Sequence, residues 1–451
     1  MRTQNSGDLM KLKKHLSFGS LRNFMSSHIQ KYADWRQENK SEYSIHDSVM
    51  SGFACMYNQS PSLLQFQKEL EDSEKNNNLR TLYGVSDIPE NTQLRNIVDK
   101  VDSEYLRPVF KEFLSRLQRG KHLESYYFLE GKYLCDIDGT QFFGSNKVDC
   151  PQCLTTNHGN GDVTHSHKVL QGAIVHPDMK PVIPLMPEQI VNTDGRTKQD
   201  CEMNASKRWL AKIKKDHPRL NLIINADGLS SKQPFITEVK GAGYSYILVA
   251  KPGDHKYLME WVDAFDSTPG KRIVDAKGKI HQYEWVEGVP LNGREDAINV
   301  NFFRYKILSI DKNGQEKINY RGSWVTDLPL NEENIELMVR GARARWKIEN
   351  ECFNTLKNQG YQIEHNFGHG KENLCFNMYL FILLAFYFHQ IFELTDRLYQ
   401  ACRKKFGSKR HMWETIRTAI KWFIFESWEA VLNFVLTPKK YCNPEVIKAP
   451  G

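Results

Sequence analysis

The sequence predicts an α/β protein with a mixed sheet in its middle and helical regions at both ends. Three observations carry that reading. Between Ser125 and Ala250 the apolar residues leave helical spacing for short extended runs, which then alternate with helices. From about 270 to 326 the runs are β-rich, with no helical pattern between them. Before residue 125 and after Gly360 the helical period returns. These shifts divide the 451 residues into a helical region (1–125), alternating strand and helix (126–269), a β-strand insertion (270–326), a segment carrying Glu349 (327–395) and a basic helical region (396–451).

Composition narrows the class. A net charge of +7 is modest for 451 residues, so the basic residues matter through clustering. No apolar run follows the first lysines, which argues against a signal peptide. The most apolar stretch, Tyr379 to Phe388, is ten residues long, too short to cross a bilayer and suited to a buried helix. Nine scattered cysteines, an odd number, fit a reducing compartment. A soluble cytoplasmic protein with no membrane partner is expected.

In the first region, Lys11-Leu-Lys-Lys14 through Trp35 suggests one or two basic amphipathic helices. Ser44 stands where an N-cap belongs before the apolar run to Met56. Pro61 marks the first turn of another helix, Glu74 to Asn78 a loop, and Pro89 to Arg95 a further helix start, with Tyr105 to Arg119 continuing the pattern. These basic helices suit either DNA-end binding or oligomerisation.

Strands are expected at Tyr126–Leu129, Lys132–Asp138, Gln141–Phe143 and Lys168–Val175, followed by a helix over Glu202–Lys215. Asn221–Asn225 is nearly all apolar, as in a strand covered on both faces. Helix (Gln233–Val239), strand (Tyr244–Ala250) and helix (His255–Phe265) follow. In the insertion, Ile280–Val289, Ile298–Ile310 and Ile318–Val325 are separated by Asn292-Gly293 and by Asp311 to Gly314, and Asn-Gly between extended runs signals a hairpin. Trp285 and Trp324 lie in these strands; packing is the default for both, and base stacking the alternative. Helices are expected again at Asn373–Leu394 and Thr415–Leu436.

The chemistry gathers at three acids. Asp138 and Asp227 each precede a glycine where a strand is expected to turn, a placement that projects a carboxylate from the sheet edge. Glu349 follows on a helix, among Arg343, Arg345, Lys347 and Lys357, with Trp346, Phe353 and Leu356 as its expected buried stripe. Two strand-end aspartates and a helical acid can hold two divalent ions about 3.5–4 Å apart, and carboxylates suit the hard cation Mg²⁺. Asp136, two residues before Asp138, shares its strand face and is the competing candidate; Glu351 turns away from Glu349 on a helix. Separately, Cys150-Pro-Gln-Cys153 with His165 and His167 has the composition of a zinc site, or of a polar loop with free thiols. His365 and His369 are four apart, but Gly368 and Gly370 on either side of His369 argue against a helix, and both read as loop residues.

Asp138-Gly-Thr140, Asn225-Ala-Asp-Gly-Leu229 and Arg345-Trp-Lys-Ile-Glu-Asn350 resemble the three acidic motifs of bacterial insertion-sequence DDE transposases. The similar branch carries a β-strand insertion before the final glutamate, and the resemblance covers roughly residues 130 to 395. Its signature is Tyr, two residues, Arg, three residues, Glu, six residues, Lys. Arg345 and Glu349 match; Ala342 stands in the tyrosine position, Leu356 in the lysine position, and Lys357 comes one residue later.

The resemblance implies an RNase H-like catalytic core in which Asp138, Asp227 and Glu349 bind two Mg²⁺ ions, with Mn²⁺ able to substitute. It implies cleavage at terminal inverted repeats, joining of 3′-hydroxyls to target DNA, and a homodimer on double-stranded DNA in a bacterial cytoplasm. Arg345, Lys357 and Arg343 would meet DNA phosphates, and the run Arg403, Lys404, Lys405, Lys409, Arg410 would add sequence-independent contacts. A domesticated DNA-binding protein and a nuclease without strand transfer are the alternatives. The DNA flanking the gene should therefore carry matching terminal inverted repeats; sequencing that finds none would favour the alternatives.

Overall fold

The structure, a computed structural model, describes residues 15–36, 41–71, 77–191, 200–265 and 267–440. The expected basic run at Lys11–Lys14 and most of the expected loop from Glu74 lie outside these residues.

The strands are β1 (Tyr127–Leu129), β2 (Lys132–Ser145), β3 (Leu154–Asn157), β4 (Val163–His176), β5 (Met179–Pro184), β6 (Glu188–Ile190), β7 (Leu222–Ala226), β8 (Ser245–Val249), β9 (Gly270–Val274), β10 (Ile280–Pro290), β11 (Asn299–Ile310) and β12 (Glu316–Thr326). They form one mixed sheet in the order β3-β4-β2-β7-β8-β12-β11-β10-β9, with β1 on β2 and with β5 and β6 on β4. β2, β7 and β8 run parallel, while β4 runs antiparallel to β2. Every residue of β7 is buried, as its unbroken apolar run requires.

Two sequence expectations change. Lys132–Asp138 and Gln141–Phe143 are parts of one strand, so Asp138 lies within β2 and not at its end. The β-insertion prolongs the main sheet, because β12 pairs with β8 at Trp324↔Val249, Val325↔Leu248 and Thr326↔Ile247. Asn292-Gly293 does not close a tight hairpin: β10 and β11 stop pairing at Pro290↔Asn299. The loop between them is pinned sideways instead, with the Asn292 amide donating to Gln233 Oε1 and Gly293 against the Tyr257 ring. Asp311–Gly314 does turn as expected, Asp311 Oδ1 accepting the Asn313 and Gln315 N–H groups at 2.8 and 2.9 Å. Trp285 and Trp324 are buried packing residues.

The helices are α1 (Phe18–Ile29), α2 (Ile45–Tyr57), α3 (Leu63–Glu71), α4 (Asn91–Asp99), α5 (Arg107–Arg119), α6 (Glu202–Asp216), α7 (Gln233–Gly241), α8 (Lys256–Asp263), α9 (Ile335–Arg343), α10 (Asn354–Asn358), α11 (Leu374–Thr395), α12 (Arg397–Phe406), α13 (Lys409–Trp422) and α14 (Trp428–Leu436). Ser44 caps α2 as expected, its Oγ accepting the Asp47 N–H at 2.9 Å. α3 begins later than Pro61 suggests, because Ser62 Oγ takes the cap by accepting the Gln65 N–H at 3.0 Å.

α11 organises the packing. Its 22 residues are long and apolar enough to cross a membrane by composition, yet its apolar window is entirely buried inside the protein. On one side the Tyr379 ring packs on Phe142 and its hydroxyl donates to Gln171 Oε1 at 3.0 Å, while Gln390 Oε1 accepts the Val182 N–H. On the other side Phe53 and Tyr57 of α2 and Phe113 of α5 close on Phe388. Trp413 and Trp428 stack and reach the same cluster through Tyr57. Residues before 125 thus share one core with residues after 374.

A polar clasp fixes the start of α11. The Asp99 carboxylate accepts the N–H groups of Lys371, Glu372, Asn373 and Leu374, and the Asn377 amide donates to the carbonyls of Val98 and Val101. Burial raises the Asp99 pKa, but those N–H groups outweigh it and hold the carboxyl below its ordinary value. Asp99→Asn should therefore lower stability at pH 7 by about 1–3 kcal/mol. A depressed folded-state pKa gives stability that is present above the unfolded value and lost as pH falls through the folded value. The deficit of Asp99→Asn in urea unfolding should shrink below about pH 4; a deficit constant with pH would show that the charge is not what the clasp uses.

Candidate active site

The parallel pairing of β2 with β7 stops at Asp136↔Asn225. Beyond it β7 turns away at Asp227, whose Oδ1 accepts the Leu229 N–H at 3.0 Å, while β2 continues alone on that edge. A cleft of about 450 Å³ opens where the two strands part, and Asp138, Lys168, Glu202, Asp227, Leu229 and Lys232 are among the residues that line it. Asp138 and Asp227 are thus brought together as the sequence suggested, by strand divergence and not by two strand ends.

The cleft crowds negative charge. Burial pushes the Asp138 carboxyl up to about 6, and Glu202 and Asp227 add to the rise, while Arg345 and the Gly139 N–H oppose it. Burial and Asp227 also raise the Glu202 pKa, with Lys168 pulling the other way. Asp136 lies deeper and is fully buried, with its Oδ1 accepting from the Asn225 amide at 3.0 Å. Burial drives its carboxyl far above the ordinary range, against the pull of Asn225 and Arg345. Asp136 is a buried link in the cleft floor: the same amide also donates to the Gly341 carbonyl at 3.0 Å.

Glu202 is a site residue that sequence reasoning missed. It is the first residue of α6, and an acid in a first helical turn is ordinary, since the helix dipole favours it. The only local signal is Gly139. A Cβ there would collide with the Glu202 carboxylate, so this glycine serves close approach and not a turn.

The Arg345–Glu349 segment departs from the expected helix. α9 ends at Arg343, a π-helical turn spans Ile348–Phe353, and α10 follows. The wider turn shifts the helical phase. Phe353 and Leu356 are buried as expected, but Trp346 is 51% exposed, with the Arg345 guanidinium 4.8 Å from its ring centre. Arg345 Nη1 lies 3.6 Å from Asp138 Oδ2, which brings this segment to the cleft. Glu349 is exposed on the first turn of the π segment and is not among the lining residues of the cleft.

Most of the cations expected on DNA are engaged within the chain. The Arg343 guanidinium sits over Tyr320 and Tyr305, at 4.8 and 5.6 Å, and Lys357 pairs with Glu364 at 3.0 Å. Arg403 and Lys409 both face Glu393, Lys405 donates to the Val435 and Leu436 carbonyls at the end of α14, and Arg410 pairs with Glu414. Within this run Arg403, Lys405 and Lys409 make internal links, because α12 and α13 fold back on α14 and on the end of α11, while Lys404 and Arg410 stay exposed.

The cysteine–histidine cluster also differs from expectation. Cys150, Cys153 and His167 converge with His369, and their ligand atoms all lie within 4.8 Å of one another. His165 stands apart, with Nδ1 beside Thr155 Oγ1 at 3.4 Å. His165 lies opposite Thr155 in the β3–β4 ladder, and its ring is turned to that hydroxyl and not to the cluster. His369 is on a loop, as its glycines suggest, but the loop curls onto β4.

A double-mutant cycle tests the cleft. Gly139→Ala should lower stability by about 1–3 kcal/mol through overpacking, and Glu202→Ala in the same chain should recover most of that loss. Simple additivity of the two changes in denaturant unfolding would show that the Glu202 carboxylate does not lie over Gly139.

No protein-family model matches this chain, and no curated protein matches it. Among solved structures, the cryo-EM structure of a piggyBac transposase synaptic complex with hairpin DNA aligns with 97% of this chain and 82% of that chain, at a TM-score of 0.39 and 10% sequence identity. At that score the likeness carries no weight for fold or activity.

Proposed function

We propose that this chain is a DNA transposase with an RNase H-like core, which cleaves the ends of its mobile element and joins the 3′-hydroxyls to target DNA. The observation that carries this reading is the meeting of Asp138 and Asp227 where two parallel strands part, with Arg345 of the Arg-x-x-x-Glu segment ion-paired to Asp138. The strand order supports the fold assignment: antiparallel β5 and β4 beside parallel β2, β7 and β8. The donor set fits a hard divalent cation, since Asp138, Glu202 and Asp227 bring three carboxylate groups to one cleft, where burial and mutual repulsion raise the pKa values of Asp138 and Glu202. When bound there, Mg²⁺ or Mn²⁺ supplies an activated oxygen nucleophile at neutral pH and stabilises the leaving oxygen on phosphorus.

The chain's own residues hold the substrate. Arg345 can exchange Asp138 for a phosphate oxygen, a bidentate partner that suits guanidinium. Lys168 and Lys232 face the same cleft and offer further cations to the DNA backbone. Glu349, exposed and next to the buried Ile348, is the third acid that the resemblance assigns. A second reading makes Glu202 the third acid, because its charge bears on Asp138 and Asp227 from inside the cleft wall.

Joining of a pre-nicked element end to target DNA tests the reading. Asp138→Asn and Asp227→Asn should each lower joining by about a thousandfold or more while DNA binding persists. Of Glu349→Gln and Glu202→Gln, the one that falls equally far identifies the third acid. Hydrolysis without any joined product would favour a nuclease. Full activity in Asp138→Asn, or activity indifferent to chelator, would overturn the metal-dependent assignment.

A further inference from the structure

We propose that Cys150, Cys153, His167 and His369 form a structural Cys₂His₂ zinc site that fastens the cleft wall to the loop entering α11. This inference does not rest on the transposase reading. Zinc at about 2.3 Å from sulfur and about 2.05 Å from nitrogen sets tetrahedral edges near 3.8 Å for S–S, 3.5 Å for S–N and 3.3 Å for N–N. The cluster has 3.8 Å between Cys150 Sγ and Cys153 Sγ, and 3.5 and 3.4 Å from those sulfurs to His167 Nε2. Cys153 Sγ lies 3.4 Å from His369 Nε2, and the two Nε2 atoms are 3.1 Å apart. Five of the six edges thus match a zinc-sized tetrahedron, and the sixth, between Cys150 and His369, is within 4.8 Å.

The surroundings fit the same ion. The Gly370 carbonyl can only accept, so His369 Nδ1 donates to it at 3.0 Å and leaves the Nε2 lone pair facing the cluster. The Phe142 and Phe143 rings pack against His167, and Phe143 also packs against His369, at 4.6 Å between centroids. Cys153 and His167 are buried. A disulfide accounts for none of this, because bonded sulfurs lie about 2.04 Å apart and the imidazoles would have no role. Four protein ligands leave no open position, the pattern of a structural site and not a catalytic one.

The ligands come from three places that matter to the fold. Cys150 and Cys153 precede Leu154, and His167 precedes Lys168; Leu154 and Lys168 both line the acidic cleft. His369 lies on the loop whose next residues are clasped by Asp99. One ion would therefore join β3 and β4 to the start of α11, across 202 residues of chain between the two histidines.

Metal analysis of the full chain tests this. Wild type, and the His165→Ala variant, should each hold about one zinc per chain, whereas His369→Ala should lose it. Apo protein titrated with Co²⁺ should develop the visible bands of a tetrahedral ion and a thiolate charge-transfer band. To guard against a variant that fails to fold, His369→Cys should keep the ion and strengthen that band through a third thiolate. Wild-type apo protein that takes up neither Zn²⁺ nor Co²⁺ would overturn the proposal. So would loss of the ion in His165→Ala with retention in His369→Ala.

Discussion

A helix that is apolar on every face has no side to give to water, and α11 imposes that demand on the whole chain. Full burial of one large apolar side chain is worth about 1.5–3 kcal/mol, so α11 must be covered all round. The sheet supplies one side through Phe142, Gln171 and Val182, and α2 and α5 supply the other through Phe53, Tyr57 and Phe113. Apolar packing alone would leave the rotation of such a helix loosely set. Asn377, Tyr379 and Gln390 fix it, because each buried polar group must meet its partner. Residues before 125 and after 374 consequently form one core, although the sequence presents them as separate helical regions.

The placement of α11 also governs the cleft. The chain must cross β5 and β2 on its way from α9 to α11, and Lys347 fastens this crossing by donating to the Met179 carbonyl at 3.0 Å. The crossing sets Arg345 against Asp138 and Ile348 over Asp136. Within the cleft the fold tolerates electrostatic conflict: three carboxylates share a small space, and burial pushes Asp138 and Glu202 towards the protonated form. Such crowding costs stability and is typical of sites whose charge awaits a ligand.

Much of the local patterning was legible, though not the Asn292-Gly293 loop or the continuity of β2. The covered strand β7, the helix α6, the Ser44 cap and the Asp311–Gly314 turn follow from short-range periodicity and side-chain chemistry. The burial of the segment around Tyr379–Phe388 was legible too, although the helix that contains it runs to 22 residues where the apolar stretch is ten. Asp138 and Asp227 could be picked out because each stands beside a glycine, though only Asp227 lies where its strand ends, and at Gly139 the reason proved to be space for another side chain.

What the sequence determined by itself, then, was the kind of element at each stretch and the acidic, cationic and thiol residues able to carry chemistry. Which of those residues meet was decided only by tertiary structure. Glu202 joins Asp138 because α6 packs on β4 and β6 and sets its first residue over Gly139 of β2, and His369 takes the place of His165 because a distant loop reaches β4 while His165 turns to Thr155. The π turn that carries Glu349 and shifts Phe353 and Leu356 out of phase with the exposed Trp346 is likewise invisible to a 3.6-residue period. Periodicity reports which way a side chain faces relative to its own backbone; it holds no information on what another element, packed against it from far along the chain, will bring to that face.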